Sequence, residues 1–128
     1  MRRVRGSTPS SRRSELHLSA ADSGDACVVL CTAPTVEAAE RLARAVVEER
    51  LAACVNLVGP VRSIYRWNDA VCDEAEHLLV IKTAAACVPD LTARLVALHA
   101  YTCPEVVALP IASGHAPYLA WLLGETRP

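Results

Sequence analysis

The sequence predicts an α+β fold of order βαββαβ, closed by a short C-terminal helix and carrying a long hairpin between its second and third strands. Three observations carry this. Apolar residues recur at helical spacing in two separate segments, 39–47 and 91–98. The segments around them are continuous or alternating apolar runs bounded by turn residues. The run 54–67 meets the run 70–83 across Asn68-Asp69, a pair that tolerates the positive φ of a tight hairpin turn. This order is the ferredoxin-like, split-βαβ plan.

Taken along the chain, Ala26-Cys-Val-Val-Leu-Cys31 reads as a short strand buried on both faces. Thr32-Ala-Pro34-Thr35 stops it and starts a helix, with Thr35 as N-cap and Glu37 and Glu40 near the positive end of the dipole. Ala39, Leu42, Ala43, Val46 and Val47 form the apolar stripe, and the helix is expected to end near Ala52. The second strand runs from Cys54 to Trp67. Gly59-Pro60 interrupts it, and because proline has no amide donor a bulge or bend is expected there. The third strand returns from Ala70 to Thr83, with Leu78-Leu-Val-Ile81 expected to be fully buried. Pro89 suits the first turn of a second helix whose stripe is Leu91, Leu95 and Leu98. A fourth strand spans Glu105 to Ile111, and the terminal helix carries Tyr118, Leu119 and Trp121.

A chain of 128 residues supports one domain. Residues 1–25 hold five arginines against three acids, are rich in Ser, and show no apolar periodicity, so they are expected to form a disordered Arg/Ser-rich tail. The remaining eight bases face eleven acids, so the domain over 26–128 is acidic, which argues against nucleic acid as a partner. No apolar run approaches the roughly 20 residues of a membrane helix, and the N-terminus lacks a secretory h-region. The expected compartment is the cytoplasm, with a transit peptide as the alternative use of the tail. At 52% hydrophobic, a domain this small carries more apolar surface than it can bury alone. Long hairpin arms also reach beyond their own sheet toward a neighbour's edge. Both point to an oligomer.

The six cysteines (27, 31, 54, 72, 87 and 103) form no Cys-x-x-Cys pair. Without a secretory signal they are expected to be reduced, and most serve as small core hydrophobes.

Several blocks carry a resemblance. Val28-Val-Leu-Cys31-Thr-Ala-Pro34, Leu51-Ala-Ala-Cys54-Val-Asn56 and Ser63-Ile-Tyr65-Arg-Trp67 come first, followed by Lys82-Thr83, His99-x-Tyr101-x-x-Pro104-Glu105 and Tyr118-Leu-Ala-Trp121. In order and spacing over residues 26–123 they resemble the CutA family, the divalent-cation tolerance proteins. The resemblance implies a homotrimer of ferredoxin-like subunits, divalent-metal binding with copper foremost and zinc as an alternative, and a fold likeness to nitrogen-regulatory signalling trimers. It also implies a copper site drawing on Cys31 and His99. The chain departs from the family pattern at Ala100, Thr102 and Asp69, where relatives commonly have Pro, Glu or Gln, and Gly. Thr102 lacks a carboxylate or amide oxygen for a metal, whereas the nearby Cys103 adds a thiol, which would soften the metal preference.

Each candidate has a structural reading beside the functional one. Cys31 either closes a core strand or offers a soft thiolate to a metal. His99 either ends the second helix or, as a neutral imidazole, serves as a ligand. Glu105 is its partner, a ligand, or a solvated strand end, and Cys54 is a packed residue or a further ligand beside Asn56. Tyr65, Trp67, Tyr101 and Trp121 are expected at the trimer interface, where aromatic rings anchor subunits. A rival reading is a signalling or adaptor trimer that binds a small anion through Arg62, Arg66 and Lys82, or docks a protein. The first strand–helix turn has no glycine-rich phosphate cradle, and Pro34 removes an amide from it. The chain is therefore read as non-enzymatic.

Overall fold

A computed structural model describes residues 25–127. The expected disordered tail, apart from Asp25, lies outside them. The element order is β1 (Ala26–Ala33), α1 (Val36–Glu48), β2 (Cys54–Trp67), β3 (Ala70–Ala84), a 3-10 turn (Ala85–Cys87), α2 (Val88–Leu98), β4 (Val106–Pro110) and α3 (Ala116–Gly124). The sheet order is β2-β3-β1-β4, and every neighbouring pair is antiparallel. This is the split-βαβ plan, with β3 inserted between β1 and β2 and β1 between β3 and β4.

Thr35 caps α1, its hydroxyl accepting from the Ala38 amide at 3.1 Å. The helix stops at Glu48, short of the expected Ala52, because Arg50 turns left-handed at φ 62°. That turn redirects Leu51 and Ala52 into the core, where they are 2% and 1% exposed. Asn68 and Asp69 take φ of 50° and 62°, the two positive values a type I′ hairpin turn requires. Asp69 therefore serves where a glycine would be usual.

The expected bulge is present. Val58 pairs with Leu78 but Val61 pairs with Glu76, so three steps along β2 match two along β3. His77 faces this gap. A Cβ on Gly59 would lie 2.5 Å from His77 Nδ1 and 3.2 Å from its Cα, so only glycine fits.

One expectation fails in an informative way. Leu79 and Ile81 are fully buried, and so are Val29, Cys31 and Ala33; these face α1 through Ala39, Leu42 and Val46, and α2 through Leu91 and Leu95. Val28, Leu30, Leu78 and Val80 are only half-buried. Strand side chains alternate between faces, and both helices cover the same face. On the other face, α3 packs Leu119 and Leu122 against Ala26 at one end only. The register aligns Val107, Leu30 and Val80 across three strands, with Leu109 beside Val28 and Val58 beside Leu78. Val58 and Leu109 are 45% and 49% exposed, so this is an apolar face that one chain leaves open.

Candidate metal-binding junction

The end of β1 meets the loop after α2. His99 ends α2 with extended backbone, φ −74° and ψ 146°, which swings its ring back toward the sheet. Its Nε2 lies 2.7 Å from the Thr32 carbonyl oxygen, and its Nδ1 accepts from the Tyr101 amide at 3.0 Å. An amide can only donate, so Nδ1 carries the lone pair and Nε2 carries the hydrogen. Burial pushes the His99 pKa down, against smaller upward pulls from the Thr32 carbonyl and the Glu76 charge. The ring is thus neutral near pH 7.

Cys31 is fully buried, and its thiol donates to the same Thr32 oxygen at 3.8 Å. The expected pair is therefore brought together: Sγ and Nε2 can be no farther apart than those two bonds laid end to end. Glu105 is half-buried just before β4. A thiol and an imidazole suit a soft or borderline cation such as copper. They fall short of a closed chelate, since among the described residues no group of three or more His, Cys, Asp or Glu is placed to hold an ion.

Cys54 is not part of this junction. Val28 pairs with Lys82, and Lys82 with Cys54, so these three share one face of the sheet. Cys31 lies three residues beyond Val28 and faces the opposite side. Cys54 sits instead with Asn56, whose Oδ1 lies 3.9 Å from its sulfur, and with Tyr118.

The expected interface aromatics divide. Trp121 is 45% exposed and packs against Tyr118, the rings tilted by 39° with centroids 5.4 Å apart. Tyr65 and Trp67 are half-buried on one face of the hairpin arm, where the Tyr65 hydroxyl donates to Glu74. Tyr101 is enclosed within its own subunit at 5% exposure, against the His99 ring, and donates to Glu76 Oε2 at 2.5 Å. Of the three candidate anion contacts, Arg62 already holds Asp73 through two bonds of 2.9 and 2.7 Å, and Lys82 donates to Asn56 at 2.5 Å. Arg66 is exposed.

Sequence reading missed Glu76. It is 1% exposed, yet it stands among the polar residues of the hairpin arm. The alternation Cys72-x-Glu74-x-Glu76, opposite Tyr65, Ser63 and Val61, places all three on one side of the arm. Nothing local marks that side as covered, because Tyr101 reaches it from 25 residues away.

Residues 27–125 match the family described as CutA1 divalent ion tolerance protein. The chain is 54% identical over 99 residues to the divalent-cation tolerance protein CutA of Thermus thermophilus, covering 77% of this chain and 96% of that one. It is 47% identical over 100 residues to Protein CutA 1, chloroplastic, of rice, covering 78% of this chain and 56% of that longer one. Among solved structures, CutA1 of Thermus thermophilus superposes with a TM-score of 0.78 at 52% identity, over 80% of this chain and 99% of that one. CutA1 of Oryza sativa gives 0.79 at 44% identity, over 85% and 98%. A family match over residues 27–125, a relative 54% identical over nearly its whole length and a common fold leave one assignment: the chain belongs to the CutA1 divalent ion tolerance family.

Proposed function

We propose that this chain acts as a non-enzymatic homotrimer that binds divalent copper and contributes to metal-ion tolerance in the cytoplasm. The observation that carries the reading is the convergence of Cys31 and His99 on the Thr32 carbonyl oxygen. A thiol and a neutral imidazole from two distant segments share one acceptor; a cation would displace the thiol hydrogen and take up a ring lone pair. For His99 to bind through Nδ1, the bond from the Tyr101 amide must open. For it to bind through Nε2, the hydrogen must move to Nδ1, which would face the Tyr101 amide hydrogen. Either route needs the 99–105 loop to shift, so metal binding and loop conformation are coupled in this reading.

Trimer formation is supported by the open apolar face around Leu30, Val80 and Val107, which a lone subunit would present to water. The site, two donors in one chain, would be completed by Glu105, by water or by a neighbouring subunit. Cytoplasmic placement is supported by the six cysteines, which form no disulfide among the described residues. The test is isothermal titration of the reduced protein with copper and then zinc. Binding lost in both Cys31→Ser and His99→Gln supports the reading; undiminished binding in both contradicts it. Hydrolysis of a generic acyl phosphate that vanished on changing Arg62 or Asn56 would contradict the non-enzymatic part.

A further inference from the structure

Tyr101 is held at three points. Its amide donates to His99 Nδ1 at 3.0 Å, its ring lies against the His99 ring with centroids 4.7 Å apart, and its hydroxyl donates to Glu76 Oε2 at 2.5 Å. Both ends of that last bond are enclosed, Tyr101 at 5% exposure and Glu76 at 1%. Glu76 is fixed by the β2–β3 ladder, where it pairs with Val61. It lies one step beyond the last β1–β3 pair, Ala33 with His77. Strand alternation puts it on the side of Leu78 and Val80, whereas α1 and α2 cover the side of Leu79 and Ile81. Tyr101 therefore reaches round the end of β1, from the imidazole at the α2 end to a carboxylate on the opposite side of the sheet. In this state neither nitrogen of His99 is open to a cation. Nδ1 accepts from the Tyr101 amide, and Nε2 donates to the Thr32 carbonyl oxygen.

We propose that Glu76 and Tyr101 form a latch that holds the 99–105 loop closed and sets how readily His99 takes a metal ion. The proposal rests on the Cys31–His99 reading above. One enclosed side chain with two torsions links the Tyr101 amide to its hydroxyl, so a shift that frees Nδ1 also pulls the hydroxyl from Glu76. Opening leaves a buried carboxylate short of a donor, and that cost is subtracted from the metal's binding free energy. The latch lowers the affinity of the junction, so the site fills only as the metal concentration rises. Glu76 acts through Tyr101 and is a positioning residue.

The test measures two quantities on the reduced, native assembly: copper affinity by titration, and solvent exchange of the residue-101 amide with no metal present. Tyr101→Phe removes only the hydroxyl. It should tighten copper binding about tenfold, the lower end of what a hydrogen bond to a charged acceptor supplies. Exchange of the amide at position 101 should quicken by a similar factor, because both report the same opening. Glu76→Gln should move both quantities the same way by less, and the double variant should match Tyr101→Phe. Val46→Ala, a core truncation in α1, should lower stability without tightening copper binding, which separates the latch from general loosening. Copper binding that is present but no tighter in Tyr101→Phe overturns the proposal, and so does unchanged exchange at position 101. Faster exchange in proteins none of which binds copper supports the latch and defeats the Cys31–His99 reading, so the two fail separately.

Discussion

Cys31 and His99 converge on a single acceptor, the carbonyl oxygen of Thr32, at 3.8 and 2.7 Å. One residue comes from the core face of β1 and the other from the end of α2, 67 positions after Thr32. The arrangement fixes the His99 tautomer and gives ring and thiol a common acceptor, while burial keeps the ring neutral. It also ties the metal reading to the fold, since any change at His99 reaches Tyr101 and, through it, Glu76.

That link gives a pH dependence with a definite sign. Burial holds the folded-state pKa of His99 below its ordinary value of 6.5. Between the two values the unfolded chain binds a proton that the folded chain does not, so stability rises with pH through this window. It falls as pH drops below 6.5 toward the folded-state pKa. Thermal unfolding followed from about pH 8 to about pH 5 should show Tm declining on the acid side, with a shallower decline in His99→Gln. Identical slopes in the two proteins would contradict a neutral, buried His99.

Tyr101→Phe deletes only the hydroxyl that donates to the buried Glu76 carboxylate. Weakening the support of a buried charged acceptor costs about 1–3 kcal/mol, measurable by urea unfolding. Adding Glu76→Gln should make the Tyr101 change less costly, because a neutral amide tolerates the loss better. Additive effects of the two changes would mean that the pair is not coupled.

The open face predicts a separation of assembly from folding. Leu109 is 49% exposed in one subunit and stands beside Val28 on that face. Leu109→Lys should leave the helix and strand signals of circular dichroism intact while sedimentation shows smaller species. An unchanged oligomer would place the subunit contacts elsewhere.

Gly59→Ala tests the bulge. The added Cβ meets the His77 ring and, at 3.2 Å, its Cα, so side-chain movement alone does not relieve it. A cost of about 1–3 kcal/mol is expected, the usual scale for overpacking. His77→Ala should recover part of it. Full recovery would show that the backbone contact carries no strain.

The parts of the fold visible in the sequence were those set by local chemistry. Thr35 as a cap, Asn68-Asp69 as a turn and Gly59-Pro60 as a bulge each depend on a few adjacent residues. What local pattern could not give was how much of each face a single chain covers. Leu78-Leu-Val-Ile81 looks doubly buried because all four residues are apolar, yet Leu78 and Val80 face away from both helices. Tyr101 shows the reverse: an aromatic reads as an interface anchor, and its contact with Glu76 within the subunit is invisible in the sequence. The junction itself was half legible. Cys31 and His99 stood out in their blocks, but their shared acceptor is a backbone oxygen, on which no side-chain pattern reports. Likewise, Cys54 lay beside Asn56 in sequence, but only the β2–β3 register sets Lys82 next to both.

The most direct test of the central claim is native mass spectrometry of the reduced protein titrated with copper, alongside Cys31→Ser and His99→Gln. The account predicts a trimer that retains one copper ion per subunit, with both variants still trimeric and unable to retain it. A trimer that never holds copper, or variants that hold it as well as the wild-type chain, would contradict the account.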